Sequence, residues 1–275
     1  KAEAASDPTT ARINNENAYV LSTQALSHAV PEWDPLLYLQ LMESFLDASA
    51  LLGRRLDALW MARRLQWMSS ELEPLVRRDQ LVQLNLFRLS GMRNEAVVLG
   101  SIGLRTQALV LLEKINTHIG SSEVASAWRL NVIRDRIDAR VFNPNTSLRE
   151  TRSVWHEGLD FLSKNVFDQP NLEHFRLTRS FSEAALMRGR LNEATELLLP
   201  IEAQIEKGIF FPLRYRVLFD CTLAKVLWHQ PARDVQRWQA VVKRNHAAAT
   251  QAGYTDFVWD MHQDYGEALQ VALAA

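Results

Sequence analysis

Four times along the chain a glycine is followed, five residues later, by an alanine, with a polar stretch between them and an apolar run behind. The instances are Gly53-Arg54-Arg55-Leu56-Asp57-Ala58, Gly91-Met92-Arg93-Asn94-Glu95-Ala96, Gly103-Leu104-Arg105-Thr106-Gln107-Ala108 and Gly189-Arg190-Leu191-Asn192-Glu193-Ala194. Glycine accepts the left-handed backbone that ends one helix, and acidic or amide residues favour the start of the next. A side chain no larger than methyl then lets the two helices approach closely. A chain punctuated in this way is expected to be all-α, a stack of short helices joined by brief turns.

Turn-forming residues are otherwise scarce: 10 Gly and 9 Pro in 275 residues disfavour a sandwich or barrel of many short strands. Periodicity places helices near 14–29, 35–52, 54–70, 74–90, 93–102, 104–117, 121–140, 148–165, 171–188, 190–207, 212–229, 232–251 and 255–273. The breaks have chemical causes. Asp34-Pro35 suits a cap followed by proline in the first turn. Asn143-Pro144-Asn145 opens the clearest loop, and Ser147 stands at capping-box spacing from Glu150. Residues 1–13 read as a flexible lead-in and 14–275 as a single helical-repeat domain. The chain opens on Lys1 rather than methionine, so a fragment or a processed chain is expected.

Apolar residues four and seven positions after the alanine (Ala62 and Leu65 after Ala58, Leu112 and Ile115 after Ala108, Leu198 and Ile201 after Ala194) make the unit resemble the tetratricopeptide helix–turn–helix repeat. The match is best from about Thr178 to Pro200. It departs from the family where Ser182 and Ala185 stand in place of the usual Gly and Tyr. Gly91 and Gly103 are also too close to be equivalent turns of successive repeats. The resemblance implies a superhelical stack of antiparallel helix pairs, a degenerate α-solenoid over roughly residues 35–250. More distantly, the irregular repeat length and the Ala/Leu/Arg/Trp-rich helices are similar to the effector-sensing repeat domain of bacterial transcriptional activators of the maltose-regulator type. That likeness implies a regulatory domain receiving a sugar, peptide or protein signal.

Several chemistries are absent from the sequence. There are 31 basic and 32 acidic residues, a net charge of −1, and nucleic-acid binding over a whole surface calls for a basic excess. One cysteine, Cys221, permits neither an internal disulfide nor a multi-thiolate zinc site. It fits a reducing, cytoplasmic compartment, and its apolar neighbours make it a core residue rather than a nucleophile. No apolar run approaches the length of a membrane span, no glycine-rich loop cradles a phosphate, and no two histidines stand at helical metal spacing. No cofactor or metal is therefore expected, and no enzymatic activity.

Three clusters remain. Asp256, Asp260 and Asp264 share one helical face; they are expected to be solvated, the alternative being an all-helical Mg²⁺-dependent enzyme. Arg54-Arg55, Arg63-Arg64 and Arg77-Arg78 stand near acids and are expected to form an ion-paired face rather than a phosphate track. Of eight tryptophans, most are expected in the core, and Trp60 and Trp67 lie two turns apart on one face. The function expected is recognition of a peptide, a protein or a small-molecule effector on a concave face lined by the first helix of each pair, with Tyr38, Arg129, Arg134, Arg176, Arg179 and Arg214 as anchors. A regulatory domain of a transcription regulator is the first reading and a free-standing adaptor or scaffold the alternative. No direct contact with nucleic acid or membrane is expected, and homo-oligomerisation is left open.

Overall fold

The computed structural model describes residues 8–119, 126–141, 143–207 and 211–274. Among them lie thirteen α-helices and two short 3-10 turns, and no strand. The helices are α1 (Pro8–His28), α2 (Pro35–Leu51), α3 (Arg55–Glu71), α4 (Leu81–Ser101), α5 (Arg105–Ile119), α6 (Ser126–Val141) and α7 (Leu148–Lys164). They continue with α8 (Pro170–Met187), α9 (Leu191–Glu206), α10 (Leu213–His229), α11 (Val235–Ala252), α12 (Thr255–Tyr265) and α13 (Glu267–Ala274). Residues 1–7 of the expected lead-in and 121–125 of the helix expected over 121–140 lie outside the described residues. Pro8–Ile13, read from sequence as lead-in, are already the first turns of α1.

Three of the four glycine turns form as their chemistry dictates. Gly53, Gly103 and Gly189 have φ of 71°, 90° and 73°. In each, the amide one residue later reaches back to a carbonyl of the preceding helix: Arg54 to Ser49 at 2.8 Å, Leu104 to Leu99 at 2.8 Å, and Arg190 to Ala185 at 2.9 Å. This is the Schellman closure. Ala58, Ala108 and Ala194 behind these turns are fully buried. A fourth turn of the same kind, at Gly253, links α11 to α12, with Tyr254 donating to Ala249 at 2.9 Å.

Gly91 is different. Instead of ending a helix it sits in the middle of α4, so the two helices expected at 74–90 and 93–102 are one. A Cβ at Gly91 would stand 2.8 Å from the Ala62 carbonyl oxygen; the glycine is there because the backbones of α3 and α4 nearly touch. The opposite error falls at the end of the chain. The single helix expected over 255–273 breaks at Gly266, with φ 51°, into α12 and α13.

Contacts resolve into two compact units, one spanning Asn15–Ala139 and one formed by Arg140 onward with the start of α1 up to Asn14. In the first, α2 packs on α3, α3 on α4 and α4 on α5, and α2 also reaches α4. Its cores gather Leu39, Met42, Leu46, Met61 and Leu65, and farther along Leu112, Ile115 and Val132. In the second, α7 packs on α8, α8 on α9, α10 on α11 and α11 on α12, while α8–α10–α12 touch in a row. The core there includes Leu198, Phe219, Leu223, Val242 and Leu269, and it takes in Ala11 from α1. Arg12 lies against Gly253.

The tryptophans correct the expectation of a mostly internal set. Trp238 is buried, but Trp33, Trp60, Trp67 and Trp259 are 84, 56, 57 and 61% exposed. Among the described residues no helix is long and apolar enough to cross a membrane.

Candidate recognition site

Three helices of the C-terminal unit present the same spacing to one another. On α8 it is Arg176, Arg179 and Glu183; on α10 it is Leu218, Cys221, Thr222 and Lys225; on α12 it is Phe257, Asp260, Met261 and Asp264. Residues three, four and seven apart share a helix face, and because α8, α10 and α12 lie in a row, the three faces meet around a cavity of about 120 Å³. Glu183, Lys225 and Asp264 form a chain of ion pairs along its wall. Arg179 donates to Glu183 Oε2 at 2.9 Å, Lys225 Nζ to Glu183 Oε1 at 3.0 Å, and the same ammonium lies 3.3 Å from Asp264 Oδ2. Burial works against the Lys225 charge, but Glu183 and Asp264 outweigh it and hold its pKa above the ordinary lysine value.

The apolar part of the wall is Leu218, Phe257, Met261 and Tyr265. Burial raises the Tyr265 pKa, so its phenol stays protonated. Behind the wall, Asn245 is buried and donates to Cys221 Sγ at 3.1 Å. Burial pushes the Cys221 thiol up to about 12, so it carries negligible thiolate at neutral pH. Alkylation of Cys221 by iodoacetamide at pH 8 is expected to be more than tenfold slower in the native protein than in urea. Equal rates, followed by mass spectrometry, would show that the thiol is not held in this way.

Farther along α8, Arg176 Nη1 donates to both carboxylate oxygens of Glu173, at 2.7 and 2.9 Å. Its guanidinium sits 4.4 Å from the centre of the Tyr215 ring on α10, a cation–π contact. Arg176 and Arg179, two of the six anchors expected from sequence, thus stand on one face. Arg214 is half-buried on α10 beside Tyr215, outside the cavity lining. The other three belong to the N-terminal unit. Tyr38 is buried in its core, Arg129 is half-buried on α6, and Arg134 donates to Asn131 and Asp135 at 3.2 and 3.0 Å.

Lys225 and Glu183 carry the centre of the site, and sequence reasoning passed over both. They pair across 42 residues, and no local spacing signals such a meeting. Asp260 and Asp264, expected from sequence on a solvated face, are exposed and also line the cavity, with Asp264 engaged with Lys225. Another long-range meeting joins His246 and His262, whose ring centres are 5.7 Å apart. Burial, and then His262, lowers the His246 pKa. Among the described residues no three His, Cys, Asp or Glu side chains are grouped to hold a metal ion. One arginine of each pair is engaged with an acid: Arg54 with Asp57 and Arg63 with Glu95, each at 2.8 Å, and Arg77 with Asp79 at 3.3 Å.

The chain matches no protein-family model, no curated protein and no solved structure.

Proposed function

We propose that the protein is a recognition module and that the α8–α10–α12 face receives an extended peptide segment of a partner protein, one cationic side chain of which enters the cavity. The observation that carries this reading is the size of the cavity set against its charge. At about 120 Å³ it is well below the roughly 300–1,000 Å³ of sites that enclose a metabolite, yet it is large enough for the end of a lysine or arginine. Two cations, Arg179 and Lys225, face three carboxylates, Glu183, Asp260 and Asp264, so an incoming ammonium or guanidinium balances the wall. The ion-pair chain already fixes Arg179, Glu183, Lys225 and Asp264, which lowers the ordering cost of binding.

The row of α8, α10 and α12, and the matching contact of α2 with α4 in the other unit, support a tetratricopeptide-like stack. In such a stack the first helix of each pair lines the inner face. The role within a longer bacterial transcription regulator rests on the resemblance of the sequence alone. For that role, a peptide or protein signal suits the small cavity better than a sugar does. We assign no catalytic activity to the module.

The test is a fluorescence-anisotropy screen of the protein against immobilisable 12-residue peptides of graded charge, with sugars and nucleotides run in parallel by thermal shift. Lysine- or arginine-containing peptides are expected to bind. Glu183→Gln is expected to weaken them about tenfold, the effect of one charge-assisted hydrogen bond, and circular dichroism would confirm that this variant is folded. A sugar or nucleotide that raises the melting temperature while every peptide fails would replace this reading with a metabolite sensor.

A further inference from the structure

Helix α3 in the N-terminal unit has two faces that could each be a core. Ala58, Met61, Ala62, Leu65, Met68 and Ser69 are buried against α2 and α4. On the opposite side, Leu56 and the half-exposed Trp60 and Trp67 stand out into solvent, Leu56 at 79%. Single exposed apolar residues need no explanation, but these three lie on one line. Together they leave roughly 300–400 Å² of apolar side chain uncovered, in the range of functional patches.

The line has a register. Leu56, Trp60, Arg63 and Trp67 follow one another at steps of four, three and four, the spacing at which a second helix packs along a seam. It runs for about 16 Å, roughly three turns. The middle of the seam is cationic. Arg63 is anchored at one edge by Glu95 yet 60% exposed, and Arg64 holds its guanidinium 5.1 Å from the centre of the Trp60 ring. Tryptophan and arginine are the side chains that dominate binding energy at interfaces, and here the ring contact already orients the arginine.

The geometry points to α3 as the docking site for an acidic amphipathic helix of a partner protein: apolar residues at seam positions meet Leu56, Trp60 and Trp67, and flanking carboxylates meet Arg63 and Arg64. Charge complementarity selects this occupant. A second copy pairing α3 in parallel register against α3 would set Arg63 and Arg64 against themselves, and two arginines among three large apolar residues offer too few phosphate contacts for a nucleic-acid strand. This surface belongs to a different unit from the peptide face and stands independently of it.

The probe is a fluorescein-labelled synthetic helix of three heptads with leucine at both seam positions and glutamate flanking them, beside a counterpart with lysine in place of glutamate. The whole chain is titrated and anisotropy read. The acidic helix is expected to bind and the basic one to bind at least tenfold more weakly. The double variant Trp60→Ala/Trp67→Ala is expected to lose at least tenfold in affinity. Arg63→Gln/Arg64→Glu, which avoids placing a carboxylate against Glu95, is expected to reverse the preference toward the lysine helix. All four positions are exposed, and unchanged melting curves would exclude misfolding. Failure of the acidic helix to bind the native chain overturns the assignment, as does equal binding to the charge-reversed variant. Concentration-dependent self-association abolished by the tryptophan variant overturns it in favour of a second copy. Tighter binding to phosphatidylserine vesicles or to oligo-dT than to the acidic helix overturns it in favour of those surfaces.

Discussion

Replacing Gly91 by valine is expected to destabilise the N-terminal unit by about 3 kcal/mol, with alanine costing a sizeable part of that. The added Cβ would meet the Ala62 carbonyl oxygen at 2.8 Å, Gln66 Cγ at 2.9 Å and the Gln66 amide nitrogen at 3.2 Å. Two of those atoms are backbone, so relief requires α3 and α4 to separate, and the layer that buries Ala62 and Leu65 opens with them. Two other glycines provide the controls. At Gly100, inside the same helix, a Cβ meets only Ala108 Cβ at 3.9 Å, so Gly100→Ala should be neutral or stabilising by up to about 1 kcal/mol through helix propensity. At Gly103 nothing lies within 4 Å, but φ is 90°, so alanine there meets backbone strain alone, about 1–2 kcal/mol. Urea denaturation of the alanine variants therefore separates close approach from turn strain. A Gly91→Ala protein as stable as Gly100→Ala would show that the two helices are not in this contact.

Arg188 is the second position where a large effect is expected. It follows α8, and its guanidinium donates to the carbonyls of Val141 at 2.7 Å, Asn143 at 2.8 Å and Thr146 at 2.9 Å, with Arg140 farther away at 3.4 Å. One side chain thereby satisfies the loop that leads into α7, where Asn143 is 2% exposed. Arg188→Ala removes the guanidinium from the Val141 and Thr146 carbonyls, while Asn143 and Arg140 keep Thr146 as a donor, and is expected to cost about 2–4 kcal/mol. It should also speed proteolytic cleavage between Asn143 and Ser147. Lysine should not restore stability, because a single ammonium cannot span acceptors arranged for a planar fork. Wild-type stability and protease resistance in Arg188→Lys would refute this account.

Features set by neighbouring residues were legible in the sequence. Asp34 accepts from the Leu37 amide at 3.1 Å with Pro35 in the first turn of α2. Ser147 and Glu150 form the reciprocal capping box, and the Ser147 amide and hydroxyl hold the Glu150 carboxyl below its usual range. Gly91 carried the same local pattern as Gly53 and misled for that reason. A glycine required for a turn and one required for close approach differ only in what faces them, and Ala62 lies 29 residues away. Trp60 and Trp67 were ambiguous on similar grounds, since a spacing of seven suits a core and a docking seam equally. What decides is that Ala58, Met61, Ala62, Leu65 and Met68 already fill the inward side of α3. In the candidate site, Arg176 and Arg179 could be placed on one helical face from their spacing. Their partners on α10 and α12 could not, because inter-helix register is set by side-chain packing.

Most contacts in this chain join one helix to the next or the next but one, an arrangement that favours rapid folding during synthesis. The start of α1 is an exception. Ala11 is buried in the same core as Leu269 and Ala272, and Arg12 rests on Gly253, so the surroundings of these first turns are complete only after the last helices of the unit have been made. At roughly 5–20 residues per second, that is a wait on the order of tens of seconds. The start of α1 is thus among the last parts of its unit to be secured, and a ribosome stalled before Gly253 would leave the C-terminal unit without the segment that completes it.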